Sequence, residues 1–585
     1  MVRDPIQLEI LKNALITIGD EMGITVVRNA HSTPVKEAGD ATSAIFDAEG
    51  RLLAQSRHAP LYHLSSLRPS LQELMKDFPP GAMRDGDVYL FNDPYRGGIH
   101  SNDVMVIKPV FAEARLTFFA AALIHVADLG GIAAGGLPAT ATDVYQEGLI
   151  LPPVKLYDGG EPVSAILDII QANSRTPDKV VGDIRAMVAA DNIGAARLVE
   201  LVQRYGREEL LSYTGELMDY SERLTRQEIA KLPQGIHRGT FLIDGDGLER
   251  RPEGLRVEAA VKIEGSTFGV DFTGTDHQAR GPINSAVSQS MSGVVFALRC
   301  LIDPTIPMNE GCYRPIEAHF PLGTLVNPRP PAACNARLAT VMAAVDAILR
   351  AVSTARPDRA TASAGCVHLF SMSGTDVETR RIWTFYCSQP GTVGAHATGD
   401  GVDCAGGNIL SGQGAGYRDA EPYEIEYPVL FTRCELWEDS GGPGKWRGGL
   451  GMRRDVQALT EGDVTLRIVD RSEHPPPGIL GGDPGRGGAW ILNAGTEGEI
   501  RLPSKQTNFP LKAGDTLTML SSGGGGFGPP GERDVDLVLR DVLDRKVTIE
   551  AARRDYGVAI GPQPSVVDAD ETKRLRTRMA ARPAS

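Results

Sequence analysis

Three apolar runs follow one another closely between residues 87 and 128: "DVYLFN", "VMVIKPVF" and "LTFFAAALIHVAD". Turn-forming residues bound each of them, so all three read as buried β-strands. The link between the first two is "NDPYRGGIHSNDV", residues 92–104. Glycine and Asx residues are what a tight turn needs. A turn needs neither His100 nor Asp103. If the second and third runs pair as antiparallel neighbours, the start of one lies beside the end of the other, and His100 and Asp103 then converge with His125. Asp128 follows His125 at the same spacing that separates Asp103 from His100. Asp40, in "KEAGDATSAIF", also precedes a strand and could add a carboxylate. Two imidazoles with one or two carboxylates suit Zn, Mn or Fe(II) and leave room for water or substrate. The other reading, turn-forming aspartates and surface histidines, stays open at this point. His58 and His63, in "SRHAPLYHLSSL", read first as capping and surface residues, with a catalytic role as the alternative.

Around this segment the chain alternates helices and strands. Asp4 can cap a helix whose first position is Pro5, with Gln7 at capping-box spacing. Leu8, Leu11, Leu15, Ile18, Met22 and Val26 form its apolar stripe. "SAIFDAEGRLLAQ" reads as a hairpin and "SSLRPSLQELMKDF" as a helix. From Thr176-Pro177 two long helical segments follow, a natural helical hairpin. Strands resume near Gly239, helices return in "VSQSMSGVVFALRCLI" and "LATVMAAVDAILRAV", and from Trp383 strands alternate with loops such as "GGPGKWRGGLG" and "SSGGGGFGPPG". "EPYEIEYP", with Glu421, Glu424 and Glu426, reads as an exposed strand edge, and the last 55 residues as one short helix with a charged, frayed end. The expectation is a multidomain α+β protein with mixed sheets. Helical hairpins lie in its N-terminal half, and its C-terminal part is β-rich and glycine-rich. Its segments are 1–235, which carries the candidate metal site, 236–375, 376–530 and 531–585.

A chain of 585 residues is too long for a single core, and roughly three or four domains is the prior. A net charge of -14 argues against nucleic acid or an anionic membrane as partner. No apolar run reaches the ~20 residues of a membrane span, and "MVRDPIQLEI" has no signal-peptide core. Seven cysteines without a C-x-x-C pair suggest reduced thiols in a cytoplasmic protein. Walker A, dinucleotide, G-x-S-x-G and H-E-x-x-H patterns are all missing from the chain.

"DPIQLEILKNALITIGDEMG", "AIFDAEGRLLAQSRHAPLYHLSSL", "GDVYLFNDPYRGGIHSNDV", "YQEGLILPPVKLY", "NEGCYRPI", "DSGGPGKWRGGLG" and "GGGGFGPPGERD" occur in that order. Together they resemble the hydantoinase B family over essentially the whole chain. That family includes the B subunit of ATP-dependent N-methylhydantoinase, the C-terminal half of 5-oxoprolinase, and subunits of acetone and acetophenone carboxylases. The resemblance implies a B-type subunit that completes a reaction at a divalent metal ion, Zn or Mn. ATP would be bound by a hydantoinase A-type, actin-like partner in a hetero-tetramer. It puts the metal ligands on Asp40, His100, Asp103 and His125, and leaves Asp40, Asp128, His58 and His63 as candidate catalytic groups. The implied reaction is opening of a cyclic amide such as a hydantoin, oxoproline or lactam. Ketone carboxylation is the alternative, and a non-catalytic scaffold a third reading. One departure is the "EAGDATSAIF" stretch, where Ala38 and Gly39 replace the basic or Arg-Asp pair of many members.

Overall fold

The computed structural model describes residues 4–580 apart from 38, 64, 250, 377–379, 381, 390, 409–418, 469 and 562–565. Ala38 and the last five residues of the expected frayed end thus lie outside the described residues. The chain divides into two compact units. The first comprises 1–240, 257–351 and 375–386, and the second 241–256, 352–374 and 387–585.

The first unit is built on a seven-stranded antiparallel sheet. Its strands are β1 (Ala41–Asp47), β2 (Leu52–Gln55), β3 (Val88–Phe91), β4 (Asp103–Ala112), β5 (Arg115–His125), β6 (Val154–Asp158) and β7 (Glu161–Pro162). They lie in the order β2-β1-β5-β4-β3-β6-β7. The helices are α1 (Pro5–Asn29), α2 (Thr33–Lys36), α3 (Leu67–Asp77), α4 (Ser164–Asn173), α5 (Pro177–Tyr205), α6 (Arg207–Ile229), α7 (Val287–Leu301) and α8 (Leu338–Ser353).

Alternate residues of β4 and β5 serve two cores. Val104, Val106, Ala122 and Ile124 pack with Leu11, Leu15 and Met22 of α1 and with Ile184 and Met187 of α5. Met105, Ile107, Ala121 and Leu123 pack with Leu67, Leu71 and Leu74 of α3. A sheet covered on both faces needs apolar residues at every position, which is why these strands read as continuous runs. The expected first helix and its cap are present: the Ile6 N–H donates to Asp4 Oδ1 at 2.9 Å. A second sheet has the order β11-β10-β9-β8, from β8 (Gly235–Ile243), β9 (Leu255–Glu264), β10 (Thr267–Asp271) and β11 (Ile316–His319).

The C-terminal part adds β12 (His368–Thr375), β13 (Ile382–Gln389), β14 (Val429–Leu436), β15 (Met452–Ala458), β16 (Gly462–Ile468), β17 (Ala489–Leu492), β18 (Ile500–Leu502), β19 (Lys505–Leu511) and β20 (Thr516–Leu520). They form sheets of order β13-β12-β16-β19 and β14-β15-β20-β17-β18. The glycine run after β20 is a packed backbone strip rather than a loop. Gly523, Gly524, Gly525 and Gly526 donate in turn to the carbonyls of Arg486, Gly449, Ser363 and Asp483. A Cβ on Gly523 would stand 1.8 Å from the Ser440 carbonyl oxygen. Only hydrogen fits there.

Two sequence expectations are corrected. Glu421–Glu426 is a short helix, α9, not a strand edge. Proline at its start and acidic residues in its first turn suit a helix N-terminus, and these local signals outweigh the alternation. Among the described residues of the last 55 there are three α-helices rather than one: α10 (Val535–Leu543), α11 (Ile549–Tyr556) and α12 (Ala569–Ala580). Val538, Val547, Ala552 and Tyr556 give this region a small core of its own.

Candidate metal centre

The site forms where three adjacent strands of the first sheet end. The β4–β5 register sets Asp103 directly opposite His125. On the other side of β5, the His125 N–H donates to the Asp40 carbonyl at 3.2 Å, just before β1 begins. His100 is brought in by a tight turn in which the Asp103 N–H donates to the His100 carbonyl at 3.0 Å. Asn92 anchors the preceding loop, accepting from the Leu151 N–H at 2.6 Å and donating to the Leu149 carbonyl at 2.9 Å. Gly97 lets that loop approach α3: its φ is +82°, and a Cβ would lie 2.7 Å from the Ser70 nitrogen.

His100, Asp103 and His125 are all buried, and each offers a ligand atom within 4.8 Å of the others. His125 Nδ1 lies 3.2 Å from Asp103 Oδ1, and His100 Nε2 lies 3.1 Å from Asp103 Oδ2. His100 Nδ1 has no hydrogen-bond partner although the residue is wholly buried, and Nε2 has only the Asp103 carboxylate beside it. Such orphaned atoms are costly unless something else satisfies them. Two imidazoles and a carboxylate are the donor set of a Zn²⁺ or Mn²⁺ site, so the residues fit such an ion.

Asp40 and His63 join this group. Tyr62 Oη donates to Asp40 Oδ1 at 2.8 Å. His63 Nε2 stands 3.9 Å from that same oxygen and 4.0 Å from Asp103 Oδ2, while its Nδ1 meets Thr42 Oγ1 at 2.8 Å. The surface reading of His63 is overturned, since the residue is 1% exposed. His58 is exposed on the turn after β2, outside the buried group. Asp128 faces a different task. It accepts from the Gly130, Gly135 and Arg175 backbone N–H groups at 3.0, 2.8 and 2.9 Å, and from Arg175 Nη1 at 2.9 Å. Those four donors fix the loop that leaves β5.

Sequence reasoning missed three neighbours. Arg337 Nη2 donates to Asp103 Oδ2 at 3.1 Å. Tyr62 holds Asp40, and Tyr386 stacks on His125 with ring centroids 5.6 Å apart. Tyr62 adjoins a named histidine and could have been suspected. Arg337 and Tyr386 lie far along the chain with no spacing signal. Asp40 and His125 keep 14% and 7% of their side-chain surface, against 1% or less for Asp103, His100 and His63. A small molecule would therefore reach the group from the side of Asp40 and His125.

Burial drives the His100 imidazole down to about 3, with the Arg337 charge adding to it, so the ring is neutral and free to bind a cation. His63 is lowered too, again mainly by burial. Burial opposes ionisation of Asp103, but His100 and Arg337 outweigh it and hold the carboxyl well below its usual range. The Tyr62 phenol is pushed well up by burial and by the Asp40 charge, so it stays a proton donor.

The family model of hydantoinase B/oxoprolinase matches residues 4–530. The chain belongs to this family. It is similar to the caprolactamase subunit beta of Pseudomonas jessenii, 31% identical over 95% of this chain and 96% of the relative. The crystal structure of ATP-dependent caprolactamase from P. jessenii superposes with a TM-score of 0.90 and 29% identity, covering 99% of this chain and 100% of that one. A nucleotide-free acetone carboxylase structure superposes with a TM-score of 0.89 at 20% identity, over 99% of this chain and 83% of that one, a likeness of fold. The α+β, multidomain architecture expected of this hydantoinase B chain agrees with these superpositions. Among its described residues, no helix is long and apolar enough to cross a membrane.

Proposed function

We propose that this chain is the metal-dependent B-type subunit of an ATP-dependent enzyme that opens a cyclic amide, a hydantoin, oxoproline or lactam, in the cytoplasm. The observation that carries the reading is the buried cluster of His100, Asp103 and His125, whose ligand atoms lie within 4.8 Å of one another and in which His100 Nδ1 has no partner. Family membership and the likeness to a caprolactamase subunit support the reaction class.

A cyclic amide is resonance-stabilised and resists attack by water. Phosphorylation of its carbonyl oxygen by an actin-like A-type partner that binds ATP makes that oxygen a leaving group and the carbon electrophilic. A Zn²⁺ or Mn²⁺ ion held by His100, Asp103, His125 and Asp40 would supply Lewis acidity at the reacting centre. The chain's own groups handle position and protons. Tyr62 occupies Asp40 Oδ1, which leaves Oδ2 either to complete the ion's ligands or to take a proton from the attacking water. His63, fixed by Thr42 and kept neutral by burial, stands ready at Nε2 to share that proton. Asp128 is assigned to holding the loop after β5, and the exposed His58 to no step. Tyr386, stacked on His125, walls the approach.

A substrate screen of the chain co-purified with an A-type subunit tests the proposal. ATP-dependent opening of a hydantoin, 5-oxoproline or lactam ring is expected, with no turnover by either subunit alone. Bicarbonate incorporation into a ketone without ring opening would replace the hydrolase by a carboxylase. Full activity of the A-type subunit alone would reduce this chain to a scaffold.

A further inference from the structure

We infer that Arg337 is the positioning residue of the metal centre: it fixes the plane of the Asp103 carboxylate between the His100 and His125 imidazoles. The inference rests on the metal reading of His100, Asp103 and His125 given above. Arg337 lies just before α8, and its side chain is 5% exposed. It is held at two points. Nη2 donates to Asp103 Oδ2 at 3.1 Å, and Nη1 donates to the Asn335 carbonyl at 3.2 Å.

Asn335 is itself tied down. Its N–H donates to Glu147 Oε1 at 2.7 Å, and its side-chain amide donates to the Gly136 carbonyl. The same two segments hold the metal loop. Ser101 Oγ donates to the Glu147 carbonyl at 3.0 Å, and Asn102 Nδ2 to the Gly135 carbonyl at 3.0 Å. Arg337 therefore joins Asp103 to a frame that also fixes its two preceding residues.

A carboxylate beside two imidazoles can rotate to favour either. Oδ2 accepts from the guanidinium and lies 3.1 Å from His100 Nε2, while Oδ1 faces His125 Nδ1 at 3.2 Å, so the plane set by Arg337 decides how the carboxylate meets both imidazoles. A planar guanidinium meets the carboxylate and the carbonyl at once, whereas a lysine ammonium would be a single, more strongly hydrated point of contact. Outer partners of metal ligands usually act in this way, and losing one typically costs about 10–100-fold in metal affinity. A guanidinium that merely repelled the incoming cation would have the opposite effect, so the sign of the change decides.

The test is titration of the chelator-treated full chain with Co²⁺ alone, read by its d–d absorption band. Apo-state melting temperatures serve as the control for folding. R337M should bind Co²⁺ about 10–100-fold more weakly than wild type with an altered band, and R337K should recover part of the loss. R337M binding within twofold of wild type, or more tightly, would overturn the inference while leaving the metal reading intact. If R337M does not fold, R337K decides alone: several-fold weaker binding supports the role, and an unchanged affinity and band refutes it. A wild-type chain that takes up no Co²⁺ would instead remove the metal reading, and this inference with it.

Discussion

Asp103 and His125 are direct cross-strand partners, and their side chains meet at 3.2 Å where β4 begins and β5 ends. A slip of one residue in this ladder would turn Asp103 to the other face of the sheet. The cores on both faces oppose such a slip, so packing and the geometry of the His–Asp cluster are set by the same register.

His100 is wholly buried, with its Nε2 3.1 Å from Asp103 Oδ2 in the three-residue cluster. H100A should lower bound Zn²⁺ or Mn²⁺ at least about tenfold, since it removes a ligand rather than an outer contact. Elemental analysis of purified protein measures this directly. Wild-type metal content together with wild-type turnover in the presence of the A-type subunit would sink the assignment.

Asp128 should behave as a structural residue. In D128N one acceptor oxygen becomes a donor facing the Gly135 N–H and the Arg175 guanidinium. The loss should be about 1–3 kcal/mol, seen as a lower melting temperature, with metal content unchanged. A variant of normal stability that fails only in turnover would restore Asp128 as a catalytic base.

Asp470 gives a pH signature in the second unit. Burial, and then the nearby Asp244 carboxylate, push it up to about 7 from 3.8. The folded state thus favours its protonated form. Its stabilising contribution is present below about pH 4 and is lost as the pH rises through 7. D470N keeps the oxygen that accepts from the Asp244 N–H but does not titrate. Melting temperatures at pH 5, 6, 7 and 8 should show the variant gaining on wild type as pH increases. A difference that is constant across the series would refute the assignment.

Glycine at 523 should be irreplaceable. G523A forces a methyl group to within 1.8 Å of the Ser440 oxygen, whereas a Cβ on Gly531 meets nothing within 4 Å. G523A should cost about 3 kcal/mol or more and yield little soluble protein. G531A should stay within about 0.5 kcal/mol of wild type. Comparable soluble yields and melting temperatures for the two variants would contradict this.

His100, Asp103 and His125 were readable because the apolar runs mark strands, and strand ends have predictable neighbours. The hairpin of β1 and β2 and the pair α5 and α6 were readable for the same reason: periodicity and turn residues are local. Arg337, Thr42 and Tyr386 were not, because their roles depend on long-range closure that leaves no spacing in the chain. His63 was misjudged because its polar surroundings in sequence suggested the surface, while Thr42, Asp40 and Asp103 supply polarity inside. The α4 helix leaves little signal in the sequence. Ile170 is its one fully buried residue, so it carries little of the apolar stripe by which a helix is recognised.

The first unit takes its residues from three separate stretches, the last ending at Tyr386. On a ribosome, His100 and His125 emerge long before Arg337 and Tyr386. At about 5–20 residues per second the interval is on the order of tens of seconds. During that time the imidazoles and carboxylates of the nascent chain stand without the guanidinium that steadies Asp103. A truncated product ending before Arg337 would therefore carry His100, Asp103 and His125 without the guanidinium that holds the Asp103 carboxylate.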